Sequence, residues 1–115
     1  MSKKLERVYH ALMNLKLFDI IIYDFTDVSP FYDYQIIASA SNERQAHSSI
    51  EFVKKALHKD EVYRFESDAS NRWVLIDLKD VIIHVMHKET RKDYQIENLF
   101  FERKIVKIED NNDGV

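Results

Sequence analysis

The sequence predicts a single α/β domain of the α+β kind, in which helices pack on a mixed β-sheet of about five strands. The length of 115 residues is enough for one hydrophobic core but not for two. Segments with helical spacing of apolar residues and short β-rich runs follow one another in the order α-β-β-α-β-β-β-α. Because no repeat or linker interrupts this order, residues 1–102 are expected to form one domain and residues 103–115 a C-terminal extension.

The first predicted elements are an amphipathic helix and two strands. Apolar residues three and four positions apart predict the helix over about residues 3–16. Its apolar stripe consists of Leu5, Val8, Leu12 and Leu15. The short apolar run 19–25 is bounded by aspartates and predicts a buried strand, and a turn marked by Ser29 and Pro30 leads to a second strand over residues 34–39.

A second helix is expected to begin after Ser41. Asn42 can cap its N-terminus, and Gln45, three residues on, can reach back toward the cap. The expected buried stripe consists of Ala46, Ile50, Val53 and Leu57. Residues 62–66 then predict a third strand and residues 67–72 a loop.

The C-terminal part is predicted less completely. Residues 93–101 indicate a short helix, whose apolar residues are Tyr94, Ile96, Leu99 and Phe100. The segment 105–108 either extends this helix or adds an edge strand, and the sequence leaves both open. Residues 109–115 are expected to be disordered.

The segment 73–86 predicts a β-hairpin, because two β-rich runs of six residues are joined by Lys79 and Asp80. A two-residue loop fixes which residues lie opposite each other. The expected core-facing pairs are Leu78 with Val81, Ile76 with Ile83, and Val74 with Val85. Since side chains alternate across a sheet, all six share one face and are expected to be core.

The opposite face of the hairpin, here called the outer hairpin face, is predicted to bind a partner. It consists of Trp73, Leu75, Asp77, Ile82, His84 and Met86. Large apolar groups beside a carboxylate and an imidazole are typical of protein-binding surfaces. Asp80 in the turn is included as a second charge partner. The alternative is that a helix of this same domain covers Trp73 and Leu75, with Asp77 at its rim.

Composition excludes several classes of function. The chain has no cysteine, which excludes disulfides, thiol chemistry and Cys-ligated zinc. Its net charge of -3 argues against direct binding to nucleic acid, and no apolar run is long enough to cross a membrane. A cytoplasmic location is therefore expected. Since the one glycine is Gly114, glycine loops that cradle phosphates cannot be built.

No catalytic or metal site is predicted, and no cofactor. Glu43 and His47 stand four apart on the second helix, but two ligands are too few for a metal ion. Asp77 and Asp80 lack a third ligand at suitable spacing. The serines lack the glycines of a nucleophile elbow, so an enzyme is the less favoured class.

The sequence resembles the ribosomal silencing factor family, also called Iojap-like proteins. The matching blocks are residues 19–45 and 72–87, followed by Tyr94 and the pair Leu99-Phe100. The resemblance runs over about residues 5–101. It implies a fold related to nucleotidyltransferases, but where those enzymes have a Gly-Ser motif and paired aspartates this chain has residues 38–41, ASAS, so it does not imply catalysis.

The resemblance implies that the chain binds ribosomal protein fourteen on the joining face of the large ribosomal subunit. Occupying that face would block association with the small subunit and repress translation when nutrients are limited. The chain departs from the family at Lys79, where glycine is usual, and at Phe100, where tryptophan is commoner. A homodimer of the free chain is a further possibility. The runner-up is a nucleotide- or metal-dependent transferase that uses Asp24, Asp77 and Asp80 as ligands.

Overall fold

The computed structural model describes residues 3–108 of the chain and confirms the α+β class. Within residues 3–108, three helices flank one sheet of six strands, one strand more than expected. The helices are α1 (Lys3–Asn14), α2 (Glu43–Ala56) and α3 (Lys88–Tyr94), and a 3-10 turn follows at Ile96–Leu99. The strands are β1 (Phe18–Asp24), β2 (Tyr34–Ala40), β3 (Arg64–Ser67), β4 (Trp73–Asp77), β5 (Val81–His87) and β6 (Lys104–Val106).

The strand order across the sheet is β3-β4-β5-β2-β1-β6. Among the strand pairs of the described residues, only β2 and β5 are parallel, since α2 and the strands β3 and β4 separate them along the chain. β6 pairs antiparallel with β1, so the segment 105–108 contributes to an edge strand rather than to a helix. The sheet therefore continues past residue 102, and the expected disorder of residues 109–115 concerns residues outside the described part.

The helices α1 and α2 cover one face of the sheet and form the main core with it. Leu5, Val8 and Leu12 of α1 are fully buried there. The hairpin has the predicted register, with Val74 opposite Val85 and Ile76 opposite Ile83. All six predicted inward residues of the hairpin are no more than 2% exposed, so this prediction is confirmed.

The N-terminus of α2 is capped as the sequence predicts. Asn42 Oδ1 accepts a hydrogen bond from the backbone N–H of Gln45 at 2.8 Å. The Gln45 side chain reaches back one residue further than expected, and its Oε1 accepts from the N–H of Ser41 at 2.7 Å. Gln45 Nε2 also donates to the carbonyl of Leu15 at 2.9 Å, which ties the end of α1 to the start of α2.

The predicted helix over residues 93–101 is wrong in its bounds. α3 begins at Lys88 because the His87 side chain accepts a hydrogen bond from Glu89 N–H at 3.2 Å and caps the helix. It ends because Gln95 has φ of 48°. Ile96 and Phe100 are buried as expected, whereas Tyr94 and Leu99 are 66% and 77% exposed.

Lys79 in the hairpin turn has φ of 78°, the left-handed region in which glycine is favoured. We expect Lys79→Gly to raise the free energy of unfolding by about 1 kcal/mol, because glycine has no Cβ to clash in this conformation. Urea denaturation measures the change. The matched control is Lys59→Gly, at a position without positive φ, which is expected to lower stability or leave it unchanged. Equal effects of the two substitutions would contradict the prediction.

Candidate functional site

The outer hairpin face is half covered by the chain itself. The segment 96–100 lies over one end of it and forms a second, smaller core. The buried residues of this core are Tyr23, Phe25, Ile37, Met86, Ile96 and Phe100. Trp73, Leu75, Asp77, Ile82 and His84 stay partly exposed. The segment 96–100 therefore covers the Met86 end of the face, while the end with Asp77 and Ile82 stays partly exposed.

Met86 does not belong to the exposed part of the face, contrary to the sequence interpretation. Its side chain is fully buried beside Ile96 and Phe100. Strand alternation places Met86 opposite Trp73 on the predicted side, but residues ten and more positions later pack over it. Met86 supports Trp73 from below and does not contact solvent.

Trp73 is held by two neighbours. Its indole Nε1–H donates to His84 Nδ1 at 3.2 Å, and the two ring centroids are 5.9 Å apart. The ring of Tyr94, at the end of α3, lies edge-on to Trp73 with a centroid distance of 5.2 Å. One side of the indole is thus packed within the domain, which restricts the rotamers of Trp73 while part of its surface remains open.

His84 links Trp73 to the centre of the sheet. Since Nδ1 accepts from Trp73, the proton of the neutral ring lies on Nε2, which is 2.9 Å from Gln35 Oε1 on β2. Burial lowers the pKa of His84 from 6.5 to about 4. A proton on Nδ1 would also break the hydrogen bond from the indole N–H, so this bond likewise favours the neutral ring. His84 is therefore a neutral hydrogen-bond acceptor for Trp73 at neutral pH.

The two aspartates predicted at this site have different surroundings. Asp77 lies on the outer hairpin face, partly exposed, and accepts a hydrogen bond from Lys79 N–H at 2.8 Å. Asp80 instead forms an ion pair with Lys4 Nζ of α1 at 2.7 Å. Because α1 packs on the opposite face of the sheet, this ion pair draws Asp80 away from Trp73.

Three residues that the sequence interpretation missed complete the surface. Glu66, Asp68 and Tyr94 line a shallow depression of about 470 Å³ together with Trp73, Leu75 and His84. Glu66 lies opposite Leu75 in the β3–β4 ladder. Pairing β3 with β4 at the sequence level would therefore have predicted Glu66 on the same face as Leu75. The hydrogen bond from the Ser70 hydroxyl lowers the pKa of Asp68, which therefore stays ionised. The depression combines an apolar floor with an acidic rim.

The residues proposed for a transferase are not brought together. Asp24 accepts hydrogen bonds from Thr26 N and Oγ1 at 2.8 and 2.6 Å, and these bonds lower its pKa. Within residues 3–108 no group of three or more His, Asp or Glu side chains could hold a metal ion. Glu43 accepts from Arg72 at 3.1 Å, while the His47 ring is 3.2 Å from Asn71 Oδ1. The ligand set of the runner-up therefore has no support in the geometry.

Comparison with known proteins identifies the family. A model described as "Ribosomal silencing factor during starvation" matches residues 1–114. The chain belongs to the ribosomal silencing factor family. The silencing factor of Halalkalibacterium halodurans is 30% identical over 91% of this chain and 92% of its own length, and that of Bacillus subtilis is 32% identical over 71% of each.

Two solved structures and a mitochondrial protein are also similar to this member of the silencing factor family. A protein from Chromobacterium violaceum has a TM-score of 0.79 at 29% identity and covers 87% of both chains. A protein from Bacillus halodurans has a TM-score of 0.77 at 28% identity and covers 90% of this chain. The mouse protein named "Mitochondrial assembly of ribosomal large subunit protein 1" is 25% identical over 71% of this chain and 38% of its own length. No helix in the described residues is long and apolar enough to span a bilayer.

Proposed function

We propose that this chain binds ribosomal protein fourteen of the large ribosomal subunit and sterically blocks association with the small subunit, which represses translation in the cytoplasm under nutrient limitation. Membership of the ribosomal silencing factor family supports this proposal. The name of the mouse relative, which refers to the large subunit, supports the choice of subunit. The observation that carries the proposal is the partly exposed Trp73 in a depression with apolar and acidic lining residues.

The chemistry of this surface suits a basic protein partner. Trp73, Leu75 and Tyr94 offer apolar contact area, and a tryptophan fixed in place loses little conformational freedom on binding. Asp77, Glu66 and Asp68 lie around them and would steer a partner rich in lysine and arginine toward the surface. Ribosomal proteins generally carry such charge because they bind RNA phosphates.

Steric occlusion requires neither catalysis nor a cofactor. A domain bound on the joining face of one subunit excludes the other subunit by its volume alone. The radius of gyration of this chain is 13.5 Å, so the bound domain projects from the surface by much more than the length of a side-chain contact. The role of the domain would be to present Trp73 rigidly.

Free chains are expected to associate weakly through the same surface. An exposed apolar surface favours self-association until a partner covers it, and twofold pairing is the commonest form. Light scattering at several concentrations measures this. The homodimer part of the proposal requires the apparent mass to rise with concentration for the wild-type chain and to rise less for Trp73→Ala.

Subunit reassociation tests the function directly. The purified chain is added to separated small and large subunits under ionic conditions that allow monosomes to form, and the products are separated on a sucrose gradient. We expect monosomes to decrease as the chain is added, and the chain to sediment with large subunits but not with small ones. Undiminished monosome formation at a severalfold excess of the chain would refute the proposal.

A further inference from the structure

A cleft beside α3 contains a buried arginine and shares no lining residue with the depression around Trp73. It has a volume of about 680 Å³, and its lining includes Phe18, Ser39, Lys88, Arg91, Lys92 and Gln95. The Arg91 side chain is only 8% exposed and lies at the floor of the cleft. An arginine is almost never buried to this extent without several partners.

The partners of Arg91 occupy only part of its guanidinium. Nη1 donates to the carbonyl of Asp19 at 2.6 Å and to Ser39 Oγ at 2.9 Å. Nε donates to Glu97 Oε2 at 3.0 Å. The Asp19 carbonyl is turned toward Arg91 at a bulge in β1, where Asp19 has φ of 50°. Among residues 3–108 the hydrogen bonds of Arg91 come from Nε and Nη1, so the Nη2 donors of the fixed guanidinium remain available beside the cleft that Arg91 lines.

Two lysines stand on the same side of α3 as Arg91. Arg91 and Lys92 lie three and four positions after Lys88, so the three side chains lie on the same side of the helix. Lys88 and Lys92 are exposed and form no ion pair within the described residues. Like charges at this spacing repel each other, and an anion between them would relieve the repulsion.

We infer that this cleft binds a small phosphorylated ligand, with a phosphate group held between Arg91, Lys88 and Lys92. Arginine offers paired donors to phosphate oxygens, and the two ammonium groups add charge from the rim. Asp19 and Glu97 also line the cleft. Glu97 Oε2 accepts from Arg91 Nε, while Glu97 Oε1 is buried without a hydrogen-bond partner within residues 3–108. The three cations Lys88, Arg91 and Lys92 still outnumber these two carboxylates, so the net charge of the lining is positive. Side chains here replace the glycine loop that this sequence cannot build.

A recessed arginine favours a small molecule over RNA. The phosphates of a polynucleotide are flanked by sugars and reach exposed lysines more easily than a guanidinium that is 8% exposed. A cleft of about 680 Å³ lies within the range of small-molecule sites. The inference is independent of ribosome binding, which is proposed for a surface that shares no lining residue with this cleft.

Titration with inorganic pyrophosphate and ATP, without metal ions, tests the site. We expect both to raise the thermal midpoint of the full chain, and the double variant Lys88→Ala/Lys92→Ala to bind about tenfold or more weakly. The matched control, Lys55→Ala/Lys59→Ala, removes two exposed lysines on the α2 side and should bind like wild type. Equal affinity of the two double variants, or no binding at millimolar ligand, would overturn the inference. A short single-stranded RNA that binds more tightly than pyrophosphate through the same lysines would also overturn it.

Discussion

Trp73→Ala is expected to weaken binding to large ribosomal subunits by about 2 kcal/mol or more, roughly thirtyfold in the dissociation constant. Trp73 is the largest side chain of the depression and is held by His84 and Tyr94 before any partner arrives. Its truncation removes apolar contact area and also leaves a gap above Met86. Co-sedimentation or calorimetric titration with purified large subunits measures the loss.

A second substitution separates loss of contact from loss of folding. Asp77→Lys alters a partly exposed carboxylate and leaves the second core intact, so the chain should fold normally and still bind poorly. A basic partner would then meet a like charge. Circular dichroism and thermal melting of each variant establish that the fold is retained.

The matched controls lie on α2, which packs on the opposite face of the sheet from Trp73. Phe52→Ala removes an aromatic ring that is 37% exposed on α2, and Glu51→Lys reverses an exposed charge whose nearest cation, Lys54 Nζ, is 4.0 Å away. Both controls should bind subunits like wild type. Should Trp73→Ala and Asp77→Lys bind as tightly as these controls, the outer hairpin face is not the docking surface.

The hairpin could be predicted from sequence because its geometry is local. A two-residue connection and strict alternation determine both the register and the buried face, and the ladder from Trp73 to Asp77 follows them. The cap of α2 is equally local, since Asn42 and Gln45 are three residues apart.

Predictions failed where distant segments meet. Met86 is buried by Ile96 and Phe100, whose position depends on the left-handed Gln95, and no propensity rule places glutamine there. Tyr94 reaches Trp73 only because α3 begins at Lys88. No sequence pattern predicted a role for Arg91, because its partners Asp19 and Ser39 lie far away along the chain, on β1 and β2. Contacts of this kind are set by packing and not by spacing along the chain.

His84 is expected to make the fold sensitive to mild acid. In the unfolded chain the histidine pKa is about 6.5, and in the fold it is lowered to about 4. Between these values the unfolded chain binds a proton that the folded chain excludes, so lowering the pH favours unfolding. The contribution of His84 is complete above pH 6.5 and is lost as the pH falls toward 4. From pH 6.5 to 4.5 the loss is about 2 to 3 kcal/mol.

The pH range from 6.5 to 4.5 distinguishes the effect of His84 on stability from that of carboxylates whose pKa is lowered. The pKa of Glu61 is lowered to about 2, first by its hydrogen bond from Arg7, so its contribution declines mainly below pH 4.5. His84→Gln removes the titrating group but keeps a side chain that can accept from Trp73. We expect urea denaturation of this variant to show a flatter dependence on pH between 6.5 and 4.5.

The matched control is His47→Gln, which alters an exposed side chain whose ring is 3.2 Å from Asn71 Oδ1 and should leave the pH dependence of wild type in place. If His84→Gln and wild type lose stability in parallel, another group must be responsible. The result also bears on binding, because a protonated Nδ1 would no longer accept from the indole N–H. The orientation of Trp73 would then lose this hydrogen bond. Because the pKa of His84 in the fold is about 4, this effect on the docking surface is expected near pH 4, below the range in which most of the stability is lost.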